Sequence, residues 1–145
     1  MDVTTLLILL LIGAVATLVS GDKLASKVAL LFSLVAFGLS INLLLQFTQG
    51  VDVSFVSNWI ESPKVALALK ADGLSMAMVL LTTALTPIII LSSFGNNFSS
   101  GKNIYALILL MAFAMVGTFL AADGLLYYIF WELALIPIYF ICLLW

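Results

Sequence analysis

The sequence predicts an all-α integral membrane protein of about five transmembrane helices, with a short surface β-hairpin between helices 2 and 3. Three observations carry that prediction. Of the 145 residues, 65% are hydrophobic and only 8% are charged. The apolar residues fall in long unbroken runs. The links between the runs are short and polar, except one. Soluble domains are close to half apolar and about a quarter charged. A chain this short cannot hide the excess in a core, because small domains leave about a third of their unfolded surface exposed.

A helix needs about 20 apolar residues to cross roughly 30 Å of hydrocarbon. Spans are expected at 4–20, 27–47, 73–94, 103–122 and 124–145, all within one membrane region, 1–145. Backbone groups in hydrocarbon must bond within their own segment, which makes these runs helices. The first run is not read as a secretory signal, because Met1, Asp2, Val3, Thr4 and Thr5 carry no positive side chain ahead of it.

Residues 21–26 form a tight turn with Asp22 and Lys23, 95–102 have loop composition, and Asp123-Gly124 is a near-minimal link. Links this short make neighbouring helices antiparallel. The long connection, 48–72, holds two period-2 runs: Val51, Val53 and Phe55, then Val65, Leu67 and Leu69. With Ser57, Asn58, Glu61 and Ser62 as the turn, they predict a hairpin on the membrane surface. Trp59 suits the interface. Lys23, Lys27 and Lys102 lie on one side and Lys64 and Lys70 on the other, so the positive-inside rule puts the N-terminus outside. No polar tail follows the last span, and the chain is read as the start of a longer protein.

The ionisable inventory excludes several functions. There is no histidine and a single cysteine, Cys142, which leaves no zinc or haem set and no internal disulfide. Cys142, among Ile141, Leu143 and Leu144, is read as an inert thiol in the membrane. A net charge of −2 without arginine argues against a nucleic-acid partner. Gly101-Lys102 lacks the rest of a phosphate-binding loop. No nucleophile–base pair points to a stand-alone enzyme.

Glu132 is the informative residue. Nine residues after Asp123, it is expected roughly 13 Å into the bilayer, near its centre. A charge there costs on the order of 2.5–3.5 kcal/mol by insertion scales, and such a carboxylate by default reads as a proton relay or ion site. Tyr128 and Tyr139, four before and seven after it, place hydroxyls on or near the same stripe. That stripe is expected to face a neighbouring helix or a hydrated channel. A partner that moves or changes charge would load and unload a proton. The competing reading is a protonated glutamate that joins two helices by a hydrogen bond. No lysine is placed at mid-membrane, so an ionised Glu132 takes its counter-ion from elsewhere.

Four further positions have two readings each. Pro137 cannot donate to the carbonyl of Leu133, which either loosens the helix beside an ion path or makes a packing kink. Pro87 frees the carbonyl of Thr83, where Thr82, Thr83 and Thr86 either line a hydrated site or satisfy the backbone locally. Asp72 and Asp123 each precede a Gly and an apolar run; they read as N-caps, with a part in proton exit as the alternative. Ala112, Ala114, Gly117, Ala121 and Ala122 mark a close packing face.

Phe130-Trp131-Glu132-Leu133-Ala134-Leu135-Ile136-Pro137-Ile138-Tyr139-Phe140 resembles the fifth-helix motif of the antiporter-like subunits of respiratory complex I, the NADH-quinone oxidoreductase. Its Leu-Ile-Pro-x-Tyr ending resembles most the subunit M branch, subunit 4 in mitochondria. Ala71-Asp72-Gly73-Leu74-Ser75 resembles that family's entry to helix three, a motif shared with multisubunit sodium/proton antiporters. The resemblance implies a fold of about fourteen helices built on two inverted repeats. It implies proton translocation through Glu132 and a lysine on helix seven. It also implies other membrane-arm subunits as partners, a bacterial inner membrane as the location, and no cofactor in this chain, with NADH oxidation and quinone reduction elsewhere. The seventh helix and its lysine are absent here, so a chain of this extent is not expected to pump alone. The alternatives are a sodium/proton antiporter subunit and a purely structural membrane module.

Overall fold

The computed structural model describes residues 2–60, 65–94 and 101–144. The helices are α1 (Val3–Val19), α2 (Asp22–Thr48), α3 (Gly73–Ser92), α4 (Gly101–Leu120) and α5 (Gly124–Leu144). Strands β1 (Phe55–Ile60) and β2 (Val65–Leu69) lie between α2 and α3. Four of the helices are long and apolar enough to cross a membrane, and α1, with 17 residues, is a shorter apolar helix. The chain is a multi-pass membrane protein. Glu61 and Ser62 of the expected turn, Pro63 and Lys64, most of the 95–102 loop, Trp145 and the side chains of Lys23 and Trp59 lie outside what is described.

Helix α4 sits at the centre, flanked by α1, α2, α3 and α5. Its small residues make that possible: Ala112, Ala114 and Gly117 are buried and let neighbours approach. Ala121 and Ala122 do not share this face, because they leave the helix. The Ala122 amide donates to the Ala68 carbonyl at 2.8 Å, and the Lys70 amide to the Leu120 carbonyl at 2.8 Å. Pairing with the end of β2 therefore stops α4 at Leu120, two residues short of the expected end.

Other boundaries also move. Helix α2 begins at Asp22, so the expected 21–26 turn shrinks to the Ser20–Gly21 step. Asp22 in its first turn complements the helix dipole. Its carboxylate also accepts from the Lys102 amide at 3.1 Å, tying the start of α2 to the start of α4. The hairpin is antiparallel, with Phe55 opposite Leu69 and Ser57 opposite Leu67. Ser57 and Asn58 belong to β1 rather than to the turn, and Val51 and Val53 precede the strand. Val53 is needed elsewhere: it is buried, and its carbonyl accepts from the Val3 amide at 3.1 Å. The hairpin thus lies at the end of the bundle that holds the start of α1 and the α4–α5 link.

Candidate functional site

Helix α5 starts on a cap. The Asp123 carboxylate accepts from the amides of Leu125 at 2.9 Å and Leu126 at 3.4 Å. These bonds satisfy amides that a helix start leaves orphaned. Leu126, Ala134 and Pro137 are buried, with Phe130 and Ile141 packed against the core at the same helical spacing. Phe130 seats over Gly117 and meets Phe113 edge-on, with ring centroids 5.6 Å apart.

That seating decides where Glu132 points. Two residues further along a helix is about 200° around its axis. Glu132 therefore projects from the side of α5 opposite α4, and it is exposed on the five-helix bundle. Tyr128 and Tyr139 share that side, 53% and 61% exposed. The expectation of a carboxylate facing a neighbouring helix or channel is not met among the described residues: no described helix covers this stripe. Eight steps from Gly124 place Glu132 about 12 Å along α5.

Tyr128 lies one helical turn before Glu132 on the same exposed side of α5. The Tyr128 ring also meets Trp131 edge-on, with centroids 6.4 Å apart. Tyr139 stacks edge-on with Phe140, with centroids 5.5 Å apart. Pro137 is buried on the bundle side, and α5 runs uninterrupted through it, so its ring acts in packing. Cys142 is a free thiol at the bundle surface.

The remaining candidates gather elsewhere. Thr83, 1% exposed, faces Ser40 of α2, 0% exposed, with the two hydroxyl oxygens 2.7 Å apart. Thr82, Thr83 and Thr86 also bond to the carbonyls of Met78, Val79 and Thr82. Pro87 is buried one turn on. These hydroxyls reach helix carbonyls other than that of Thr83, the one Pro87 frees, at a seam between α2 and α3 distinct from the α5 face that carries Glu132. Asp72 caps α3, accepting from the Ser75 amide at 2.7 Å. That bond, with the Ser75 hydroxyl and the nearby Lys70 charge, holds its carboxyl below the usual value.

Two residues escaped the sequence reading. Ser40 left a faint signal: Ser33 and Ser40, seven apart, are both buried in the otherwise apolar stretch 28–41 of α2. The reach of Asp22 to α4 left none, because its partner is 80 residues away.

No protein-family model matches the chain. Curated relatives do. F(420)H(2) dehydrogenase subunit M of Methanosarcina mazei is 37% identical over 150 residues, covering 100% of this chain and 30% of that protein. NADH-ubiquinone oxidoreductase chain 4 of Arabidopsis thaliana is 34% identical, covering 85% of this chain and 26% of its own length. NAD(P)H-quinone oxidoreductase chain 4 of Prochlorococcus marinus is 32% identical, covering 83% and 22%. The chain spans less than a third of the length of these relatives. With such identity along all or most of its residues, and with the apolar helices and hairpin described above, the chain belongs to the antiporter-like subunit M (chain 4) family of complex I-type oxidoreductases.

Proposed function

We propose that this chain is part of a membrane subunit that translocates protons in a quinone-reducing dehydrogenase, with Glu132 as the residue that takes up and releases the proton. One observation carries the reading: an ionisable carboxylate about 12 Å along a membrane helix, on a face that four packed helices leave uncovered. Such a group needs a partner, and among the described residues no lysine lies at that depth. The partner is therefore assigned to a further part of the subunit. Other membrane-arm subunits and the lipid bilayer complete the surroundings. The chain itself holds no cofactor, and electron transfer takes place in other subunits. The lysine distribution supports an outer position for the N-terminus in a bacterial inner membrane, with Lys27 and Lys102 at the inner end.

The relatives' names favour this reading over a sodium/proton antiporter. The test is Glu132→Gln in the complete subunit within its assembled complex, reconstituted in vesicles. Proton flux is expected to be lost while the complex still assembles. Flux near the unsubstituted level overturns the proposal, and a flux that requires sodium transfers the chain to the antiporter reading.

A further inference from the structure

We infer that an anionic phospholipid binds between α1 and α5, with one acyl chain in a groove over α4 and its phosphate at Lys102. The site is independent of the role proposed for Glu132, which lies on the opposite side of α5 from α4.

Helices α1 and α5 both pack on α4. Between them they leave a groove of about 360 Å³. Small side chains make its floor: Ala14 of α1 and Ala106 of α4 line it and are buried. Val15 and Leu18 of α1 and Phe140 of α5 make its walls, 54%, 47% and 41% exposed. The hollow is thus open to whatever surrounds the bundle, and in a membrane that is lipid.

The dimensions of the groove select its occupant. It runs from Asn103 to Leu110 on α4 and from Leu18 to Leu11 on α1. Seven steps along a helix are about 10 Å. The groove therefore begins at the start of α4 and ends within one leaflet, because half the hydrocarbon is about 15 Å thick. A membrane helix would cross both leaflets. A single helical turn, about 10 Å wide and 5.4 Å tall, already fills about 420 Å³. An acyl chain is thinner and ends within its own leaflet, so the groove fits a lipid and not a further helix.

Charge at the mouth matches a phosphate. Asn103 is the polar residue among the described residues that line the groove, and Lys102 precedes it. Lys27, exposed on the second turn of α2, adds positive charge at the same end of the bundle. Asp22 is the opposing carboxylate there, and it is engaged by the Lys102 amide at 3.1 Å. Basic residues at the end of an apolar cleft between membrane helices are how anionic headgroups are held. A lysine side chain is long enough to reach headgroup level from a helix end.

The test uses the complete subunit in its assembled complex, in lipid nanodiscs doped with phosphatidylglycerol that carries a photoreactive group at mid-chain. Crosslinks formed on illumination are mapped by mass spectrometry. They are expected on residues 11–18 and 103–110. Val15→Trp, which fills the groove from an exposed wall position, is expected to abolish them. Ile12→Trp, 53% exposed on α1 but outside the groove, is expected to leave them unchanged. Photoreactive phosphatidylglycerol is expected to label these residues about fivefold more than its phosphatidylcholine counterpart, the worth of one lysine beside an anionic headgroup. Lys102→Gln is expected to erase that difference. No crosslinks at these residues would mean that protein covers the groove, and would overturn the inference. Crosslinks that persist in Val15→Trp would mark ordinary boundary lipid and overturn it as well. Equal labelling by the two lipids overturns the phosphate assignment. The first and last of these outcomes are read on the unsubstituted protein, so the inference stays falsifiable even if Val15→Trp fails to assemble.

Discussion

A Cβ built on Gly117 of α4 would lie 2.3 Å from the ring of Phe130 on α5. No pair of non-bonded carbon atoms sits that close without something moving. The absence of a side chain at Gly117 therefore sets both the separation of the two helices and the rotation of α5. Because Phe130 points inward, Glu132 two residues on points outward.

Gly117→Ala is expected to destabilise the α4–α5 pair by about 1–3 kcal/mol, the usual scale for overfilling a packed interior. The ring cannot retreat easily, since Phe113 meets it edge-on. Thermal unfolding of the purified subunit measures the loss. Adding Phe130→Ala is expected to recover part of it, because the two sites share one contact. Equal melting of Gly117→Ala and the unsubstituted protein would remove this account of the α5 rotation.

The Ser40–Thr83 pair ties α2 to α3 where both helices are buried. A hydroxyl has one proton to give. When Ser40 donates to the Phe37 carbonyl, Thr83 donates to Ser40; when Thr83 donates to Val79, Ser40 donates to Thr83. Both arrangements keep the link. A double-mutant cycle of Ser40→Ala and Thr83→Val is expected to give a coupling of about 0.6 kcal/mol, and no more than about 2, as for other hydrogen bonds between membrane helices. Zero coupling in unfolding experiments would show that the two hydroxyls act independently.

Asp72 gives a pH dependence with a defined sign. The Ser75 amide, the Ser75 hydroxyl and Lys70 lower its carboxyl below the ordinary 3.8. A group whose value falls on folding stabilises fully above its unfolded value, and the contribution is lost as pH drops through the folded one. The contribution of this cap is thus fully present near neutrality and declines in acid, below 3.8. Asp52 adds to the same decline, since the Ser54 amide and hydroxyl lower its carboxyl too. Asp72→Asn keeps a capping oxygen and removes the titration. Its melting temperature is expected to fall less steeply in acid than that of the unsubstituted protein; parallel curves would refute the cap as the source.

Much of the architecture was legible in the residues. Hydrocarbon demands about 20 apolar residues and internal hydrogen bonding, so span number and type follow from composition along the chain. The caps at Asp72 and Asp123 were legible for a similar reason, because a cap binds amides only two or three residues away. The helix ends were less so. Leu120 ends α4 because the next residues pair with β2, some 50 positions earlier in the chain, and Ser57 and Asn58 join a strand because their partners are Leu67 and Ala66.

The sequence alone determined that one carboxylate lies deep in an apolar helix with a tyrosine one turn before it, since both facts are counts along a single chain. Tertiary packing decided which way that carboxylate faces. Periodicity places Glu132 and Tyr128 on one side of α5, but every side of α5 is apolar enough to be buried. Only the fit of Phe130 against the bare backbone at Gly117 selects which side turns inward, and that contact joins two helices through shape, which residue type by itself does not encode.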